Sequence, residues 1–427
     1  MNGTYFKRSL PEPLGQSGAL TASVAGMLAE LEAGREDTAQ RMARDLDHFT
    51  GDIVVPEHAI AAACARVPQQ LKDDIAYAHE NIARFAQAQR NSITETEVEL
   101  RPGLIAGQRL IPVQAAGCYV PGGRYSHIAS AMMTVTTAKI AGVPHIAAVS
   151  PPRADAPAGV PDAILYTLHH CGVDRVLALG GVQGIAAMAF GLFGLPQADI
   201  LVGPGNQYVA EAKRLLYGRV GIDMVAGPTD SMVIADETAD PLVVAWDLIG
   251  QAEHGTNSPV WLVTSSAALA AEVARLAPLC AAELPQPNRA AAEGAWAALG
   301  EILVCADREA MAREADRVAP EHLHVQAADL DWWKARLRAY GSLFLGEHAT
   351  VAFGDKAAGT NHVLPTSGAA RYTGGLSVHK FLKTVTWQRV GPEALPRLAA
   401  VTASISRFEG MEGHARTADI RLTKFVR

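Results

Sequence analysis

The sequence predicts an α/β protein built from two Rossmann-like parallel-sheet domains, with a helical N-terminal segment and a small C-terminal appendage. Short apolar strands alternate with helices through the middle of the chain, a rhythm that implies a parallel sheet covered by helices on both faces. The alternation runs over 129–217 and again over 232–279, which makes two such units. In the first run, glycine-rich turns stand between strand and helix, where open α/β sheets take their ligands.

Residues 19–85 read as helices, with apolar positions three and four apart at Met27, Leu28 and Leu31 and later at Ile75, Ile82 and Phe85. A polar stretch, 86–96, leads into an extended segment, 97–112. The first run then gives helices at 129–141, 161–171, 185–193 and 206–217, and strands at 145–150, 175–179 and 200–202. The second gives strands at 232–235 and 260–263 and helices at 241–252 and 268–279. Residues 367–387 are rich in Gly, Tyr and Thr, and 393–421 read mainly as helix. The expected division joins 1–104 to 226–365 as a first α/β domain, sets 105–225 apart as a second, and leaves 366–427 as the appendage. No tandem repeat of solenoid period is visible.

With 427 residues, 49% of them hydrophobic and 19% charged, the chain has apolar material for more than one core and needs no disulfide staples. Its five cysteines are scattered and form no CxxC pair, which argues against a disulfide framework or thiolate zinc site and fits a reducing cytoplasm. A net charge of −7 without a cluster of Lys and Arg gives no reason to expect nucleic acid as a partner. The opening MNGTYFKRSLPEPLGQSG has no apolar core of signal-peptide type, and no uninterrupted apolar run suits a membrane span.

Several segments concentrate chemistry. Gln251 and His254 stand three apart in QAEHG, so on a helix they share a face, and Gly255 is placed to end that helix. The loop GDKAAGTNHVLPT (354–366) carries a carboxylate at Asp355 and an imidazole at His362, and a later helical run holds Glu409 and His414. If Gln251, His254, Asp355 and His414 converge, they make an oxygen- and nitrogen-rich site without sulfur, which suits a catalytic zinc. They lie on three distant segments, and spacing alone does not bring them together. Glu321-His322 pairs a carboxylate with a proton shuttle; neighbours on a regular element point apart, so an irregular turn at Ala319-Pro320 is needed. There is no GxGxxG fingerprint, but the turns at 117–123, 180–184 and 203–206 favour a nucleotide. Cys118 is a conceivable thioester nucleophile, yet no basic partner is identifiable and a buried, inert thiol is expected.

The pieces GCYVPGG, GGVQGIAAMAFG, GPGNQYVAEAKR, AGPTDSMVIAD, QAEHG, APEHL, GSLFLGE, GDKAAGTNHVLPT and EGMEGHARTADIRL, in this order from Asp52 to the C-terminus, resemble the histidinol dehydrogenase family. The resemblance implies zinc ligands at Gln251, His254, Asp355 and His414 and NAD contacts near Tyr119, Gln183 and Asn206, with 105–225 as the NAD-binding side. It also implies Glu321 as the water-activating residue and His322 as the acid/base. The reaction implied is a four-electron, zinc-dependent oxidation of a primary alcohol through the aldehyde to the acid, with two NAD in turn. A homodimer is implied as well, whose C-terminal part reaches into the partner, so that His414 serves the other subunit.

Departures fall where substrate is expected. The family's typical Gly-Pro-Ser-Glu is here Gly227-Pro228-Thr229-Asp230, and a stretch usually containing Gly-Val-Tyr-Asp-Phe ends here in Val378-His379-Lys380-Phe381. Thr229, His362, His379, Lys380 and Glu409 are thus the expected substrate residues, with Arg371 nearby. Added positive charge opposes cationic histidinol and favours a small anionic alcohol. The sequence looks closer to the sulfopropanediol dehydrogenase branch, which takes 2,3-dihydroxypropane-1-sulfonate to sulfolactate. Glu409 is retained, which keeps histidinol as the alternative. An inactive metal- and nucleotide-binding homologue is the reading from another class, and the presence of Glu321, His322 and every expected ligand speaks against it.

Overall fold

Parallel strands buried on both faces leave the chain little choice but to cross back through helices, and it does so around two sheets. The computed structural model describes residues 3–10, 17–122, 127–225 and 227–426. Met1, Asn2, residues 11–16, Gly123 of the first glycine-rich turn and Ala226, where the first α/β domain was expected to resume, lie outside them.

The chain opens with β1 (Gly3–Lys7) and three helices, α1 (Ser17–Asp47), α2 (Glu57–Arg66) and α3 (Gln69–Asn91). A hairpin of β2 (Thr96–Arg101) and β3 (Leu104–Pro112) leads to β4 (Ala115–Tyr119). Then come α4 (Ile128–Ala141), β5 (His145–Ser150), α5 (Asp162–Cys171), β6 (Arg175–Ala178), α6 (Gly181–Phe190), β7 (Ile200–Val202), α7 (Gln207–Leu216) and β8 (Gly221–Ile222). Strands β4 to β8 form a five-stranded, all-parallel sheet in the order β6-β5-β4-β7-β8.

The second unit comprises β9 (Ser231–Ala235), α8 (Pro241–Ala252), β10 (Val260–Thr264), α9 (Ala267–Glu283), α10 (Asn288–Leu299), β11 (Glu301–Cys305), α11 (Arg308–Val318), β12 (His322–Gln326), α12 (Leu330–Arg336), β13 (Ser342–Leu345) and α13 (Val351–Lys356). Its six-stranded sheet runs β1-β11-β10-β9-β12-β13, parallel except for β1. Finally β14 (Leu382–Val390) pairs antiparallel with β3, which also pairs with β2, and α14 (Leu395–Phe408) and α15 (Glu412–Phe425) form a helical hairpin.

The packing divides the chain differently from the expected join of 1–104 to 226–365. Only β1 belongs to the six-stranded sheet. Val24, Leu28, Leu31 and Met42 of α1 pack with Val182, Ile185 and Val209, and Ile75, Ile82 and Ala86 of α3 pack with Met132 and Val135. The apolar faces of α1 and α3 thus find partners on α4, α6 and α7, so the N-terminal helices belong to the five-stranded half. The chain also crosses back earlier than residue 365: Val363, Leu376, Val378 and Phe381 join the core around α4. The C-terminal hairpin has a small core of its own, Ala399 and Ala403 against Ala415 and Ala418.

Candidate active site

A cleft of about 860 Å³ opens between the two halves and is lined from both. In the five-stranded sheet, the chain begins at central β4, moves out to β6 and returns beside β4 with β7. The C-terminal ends of β4 and β7 therefore flank a topological switch point, the crevice in which open α/β sheets hold ligands. Gly203, at φ +110° directly after β7, passes so close to β4 that a Cβ there would lie 2.1 Å from the carbonyl oxygen of Tyr119. Glycine alone allows the approach.

Tyr119 is buried, with its hydroxyl accepting from Gly181 N at 3.1 Å, and burial pushes its phenol up to about 12. Gln183, in the first turn of α6, donates from Nε2 to Asp47 Oδ2 at 2.7 Å. Burial raises the Asp47 carboxyl above its usual range. Asn206 caps α7: its Oδ1 accepts from Tyr208 N at 3.0 Å and Val209 N at 3.1 Å. The three expected NAD residues thus line one wall, beside the N-termini of α6 and α7.

The opposite wall is built from strand starts and a helix end. The positive φ of Ala319 (+54°) and Pro320 deliver Glu321 to the very start of β12, which pairs with β9 so that His322 lies opposite Ser231. This is the irregular turn that the adjacent Glu-His pair required. Asp230, one residue before β9, holds the pair. Its N donates to Glu321 Oε2 at 3.1 Å, its Oδ1 accepts from Glu321 N at 2.6 Å, and its Oδ2 accepts from Ser367 N at 3.0 Å. Asp230 O lies 3.2 Å from His322 Nδ1. A carbonyl only accepts, so Nδ1 carries the proton of that bond and Nε2 is the ring's free nitrogen.

His322 Nε2 is buried without a hydrogen-bond partner, 3.5 Å from Asp355 Oδ1. Burial raises the Glu321 carboxyl to about 8. Burial opposes charge on His322 too, but Glu321 and Asp355 outweigh it and the imidazole stands raised, at about 9. Asp355, buried near the end of α13, is held below the usual carboxylate range: burial pushes it up, and the hydrogen-bonding reach and charge of His322 win.

Gln251 lies in the last turn of α8, and His254 follows two residues past its end at Ala252. Gln251 Oε1 is buried with no partner, an orphaned acceptor aimed away from water. Desolvation lowers the His254 imidazole although Asp355 draws it upward, which places the two within electrostatic reach. His362 donates from Nδ1 to Asp355 O at 2.8 Å and meets Ser130 Oγ through Nε2 at 2.9 Å. Thr229 and His362 line the cleft.

Six expected residues do not line this cleft within the chain, the buried Gln251 among them. His379 Nε2 donates to Gln89 O at 2.9 Å, at the end of α3, and Lys380 Nζ donates to Thr373 Oγ1 at 3.1 Å. Both serve the local fold rather than the cleft lining, which corrects their expected contact with substrate. Arg371 likewise spends its guanidinium on Arg317 O. Glu409 and His414 are exposed on the C-terminal hairpin. Among the described residues no group of three or more His, Cys, Asp or Glu side chains is placed to hold a metal ion. Cys118 is fully buried and its thiol is pushed up to about 12, so it is no nucleophile.

Sequence reasoning missed Asp230 as the anchor of the Glu-His pair, Asp47 beside Gln183, and the side of the cleft that holds an imidazole beside a lysine. His127 and Lys356 line it, and burial with the Lys356 charge brings the His127 imidazole down to about 4. Lys356 has no hydrogen bond or ion pair among the described residues. Its signal was legible: a lysine directly after Asp355 in the loop already singled out.

The model of the histidinol dehydrogenase family matches residues 12–422. The chain belongs to the histidinol dehydrogenase family. It is 66% identical, over 99% of its length and 98% of the relative's, to a histidinol dehydrogenase homolog of Ruegeria pomeroyi. It is 59% identical to a sulfopropanediol 3-dehydrogenase of the same organism, over 99% and 96%. The crystal structure of histidinol dehydrogenase from Elizabethkingia anophelis superposes with a TM-score of 0.90 at 30% identity, covering 98% of this chain and 94% of that one. As a member of this dehydrogenase family the chain is an oxidoreductase. No helix among its described residues is long and apolar enough to cross a membrane.

Proposed function

We propose that the chain is a zinc-dependent, NAD-linked dehydrogenase that takes a small anionic primary alcohol through the aldehyde to the carboxylate. The reaction we infer is 2,3-dihydroxypropane-1-sulfonate to sulfolactate, run by a cytoplasmic homodimer. The observation that carries this reading is His322, whose Nδ1 is committed to Asp230 O while its buried Nε2 has no partner on the cleft side. A base that must collect a hydroxyl proton needs that arrangement.

The donor set fits zinc: the orphaned Gln251 Oε1, the buried Asp355 carboxylate and His254 give hard and borderline ligands, and His414 of a partner subunit would complete four. Bound there, zinc would polarise the substrate oxygen as a Lewis acid, and NAD on the opposite wall would be the hydride acceptor. Each alcohol consumes one water and two NAD and releases three protons, so the cleft must accept protons at both stages. Glu321 and Asp355 hold the His322 imidazole up at about 9; with Asp355 engaged by zinc that pull would weaken, and Nε2 of the neutral ring would take the hydroxyl proton. Glu321, whose burial keeps its carboxyl close to neutral pH, assists the addition of water to the aldehyde. Asp230 keeps both groups in register.

Lys356, rather than His379 or Lys380, supports an anionic substrate, because it stands in the cleft next to Asp355. The 59% identity to a sulfopropanediol 3-dehydrogenase supports the same branch. Side-by-side NADH assays should show turnover of the sulfonate diol and little of histidinol. In the same assay Lys356→Met should raise the KM for the diol about tenfold to a hundredfold, the worth of one charge-assisted contact. Efficient oxidation of histidinol with none of the sulfonate would overturn the substrate assignment.

A further inference from the structure

One face of a central strand in the six-stranded sheet is polar where an apolar one would pack. His322, His324 and Gln326 alternate along β12 and are all buried, between β9 on one side and β13 on the other. His322 belongs to the site, but His324 and Gln326 do not line the cleft. They run instead to Asp247, on α8 one turn before Gln251. Gln326 Nε2 donates to Asp247 Oδ2 at 2.6 Å and stands 3.3 Å from His324 Nδ1. His324 Nδ1 is itself 3.3 Å from Asp247 Oδ2, and its Nε2 donates to Gly346 O at 2.9 Å.

The other oxygen of Asp247 takes a hydroxyl that local structure would have used elsewhere. Thr350 occupies the N-cap of α13, where a threonine ordinarily accepts from its own helix, yet its side chain makes no capping bond. Its Oγ1 donates to Asp247 Oδ1 at 2.7 Å. One carboxylate therefore ties together α8, β12 and α13. These are the elements that carry Gln251 with His254, Glu321 with His322, and Asp355.

We propose that Asp247, with Thr350, His324 and Gln326, is a positioning network that fixes the distance between the metal-ligand elements and the strand of the acid/base pair. The proposal rests on the reading that Gln251, His254 and Asp355 hold zinc. None of the four touches the cleft, so they act only through the ligands they space. α13 is a single short helix with an uncapped start. Without the Thr350 bond, that tie holding it and Asp355 to α8 is gone. Buried polar groups are costly unless partnered, and here Asp247 uses both oxygens and both His324 nitrogens stand within reach of polar partners, while Gln326 Oε1 alone is left without a partner.

The test uses Thr350→Val, which keeps the shape and removes the hydroxyl, and Thr350→Ser, which restores it. Zinc affinity of the full-length protein is measured by competition with a chromophoric chelator, alongside thermal melting of the metal-free form. The expected result is about a tenfold loss of zinc affinity in Thr350→Val and recovery in Thr350→Ser, in line with other groups that orient metal ligands. A Thr350→Val protein with wild-type zinc affinity overturns the proposal, whether or not its melting temperature falls. A wild-type protein that binds no zinc overturns the metal reading itself and this inference with it.

Discussion

The two α/β halves meet the same cleft with opposite ends. The five-stranded half presents strand C-termini and the N-termini of α6 and α7; the six-stranded half presents the N-terminal starts of β9 and β12 and the C-terminus of α8. Helix N-termini carry partial positive charge and favour phosphate, whereas a helix C-terminus carries partial negative charge and favours a cation. Similar architecture thus yields two different sites. One wall suits a dinucleotide's phosphates, the other a metal ion and a proton acceptor.

Their buried charges differ in the same way. In the five-stranded half, Lys213 and Asp223 form a buried ion pair. Lys213 also donates to Gly203 O at 3.0 Å, and Asp223 Oδ2 accepts from Gly203 N at 2.7 Å. Unpartnered buried polar atoms occur in both halves, Thr136 Oγ1 and Ser150 Oγ in the five-stranded one, but the amide oxygen of Gln251 and the ring nitrogen His322 Nε2 are in the six-stranded one. A closed account holds a turn in place, and an open one waits for a ligand.

Breaking the closed set should show the larger effect on stability. Asp223→Ala leaves Lys213 buried and unpaired, and denaturant melts should record a loss of roughly 3–5 kcal/mol. Replacing both, Lys213→Met with Asp223→Leu, should recover much of it. Unchanged stability in Asp223→Ala would mean that the pair is not what holds the Gly203 turn.

A smaller effect sharpens the cofactor wall. Asn206→Ser keeps an N-cap but loses the amide, whereas Asn206→Ala loses both, at a cost of about 1 kcal/mol in melting. If Asn206 touches NAD, both variants raise the KM for NAD and only the alanine lowers stability. Equal KM values for wild type and serine would leave Asn206 as a cap alone.

Much of this was legible in the sequence. The strand over 145–150 and the helix over 241–252 stand as read, because their apolar pattern and flanking turn residues are local signals. The glycine-rich turn at 203–206 and the helix that follows it were local signals of the same kind. What was not legible depended on distant pairing. β14 joins β3 with Trp387 opposite Gly107, and α1 turns its apolar stripe to α6 rather than to the 226–365 unit that it was expected to join. His379 and Lys380 spend their side chains on Gln89 and Thr373, since sequence records a side chain's chemistry but not its direction. Asp230 entered the reading only as the last residue of a segment that departs from the family pattern. Its role as anchor emerges only when β9 and β12 are seen side by side.

The most direct test concerns the open set. Rapid-quench assays of His322→Ala and Glu321→Ala, with both NADH and aldehyde measured, separate the two oxidations. The account predicts a loss of about a thousandfold in both steps for His322→Ala, within the range for removing a general base. For Glu321→Ala it predicts a first step close to wild type and aldehyde that accumulates. Small and equal losses in the two variants, with no aldehyde, would contradict it.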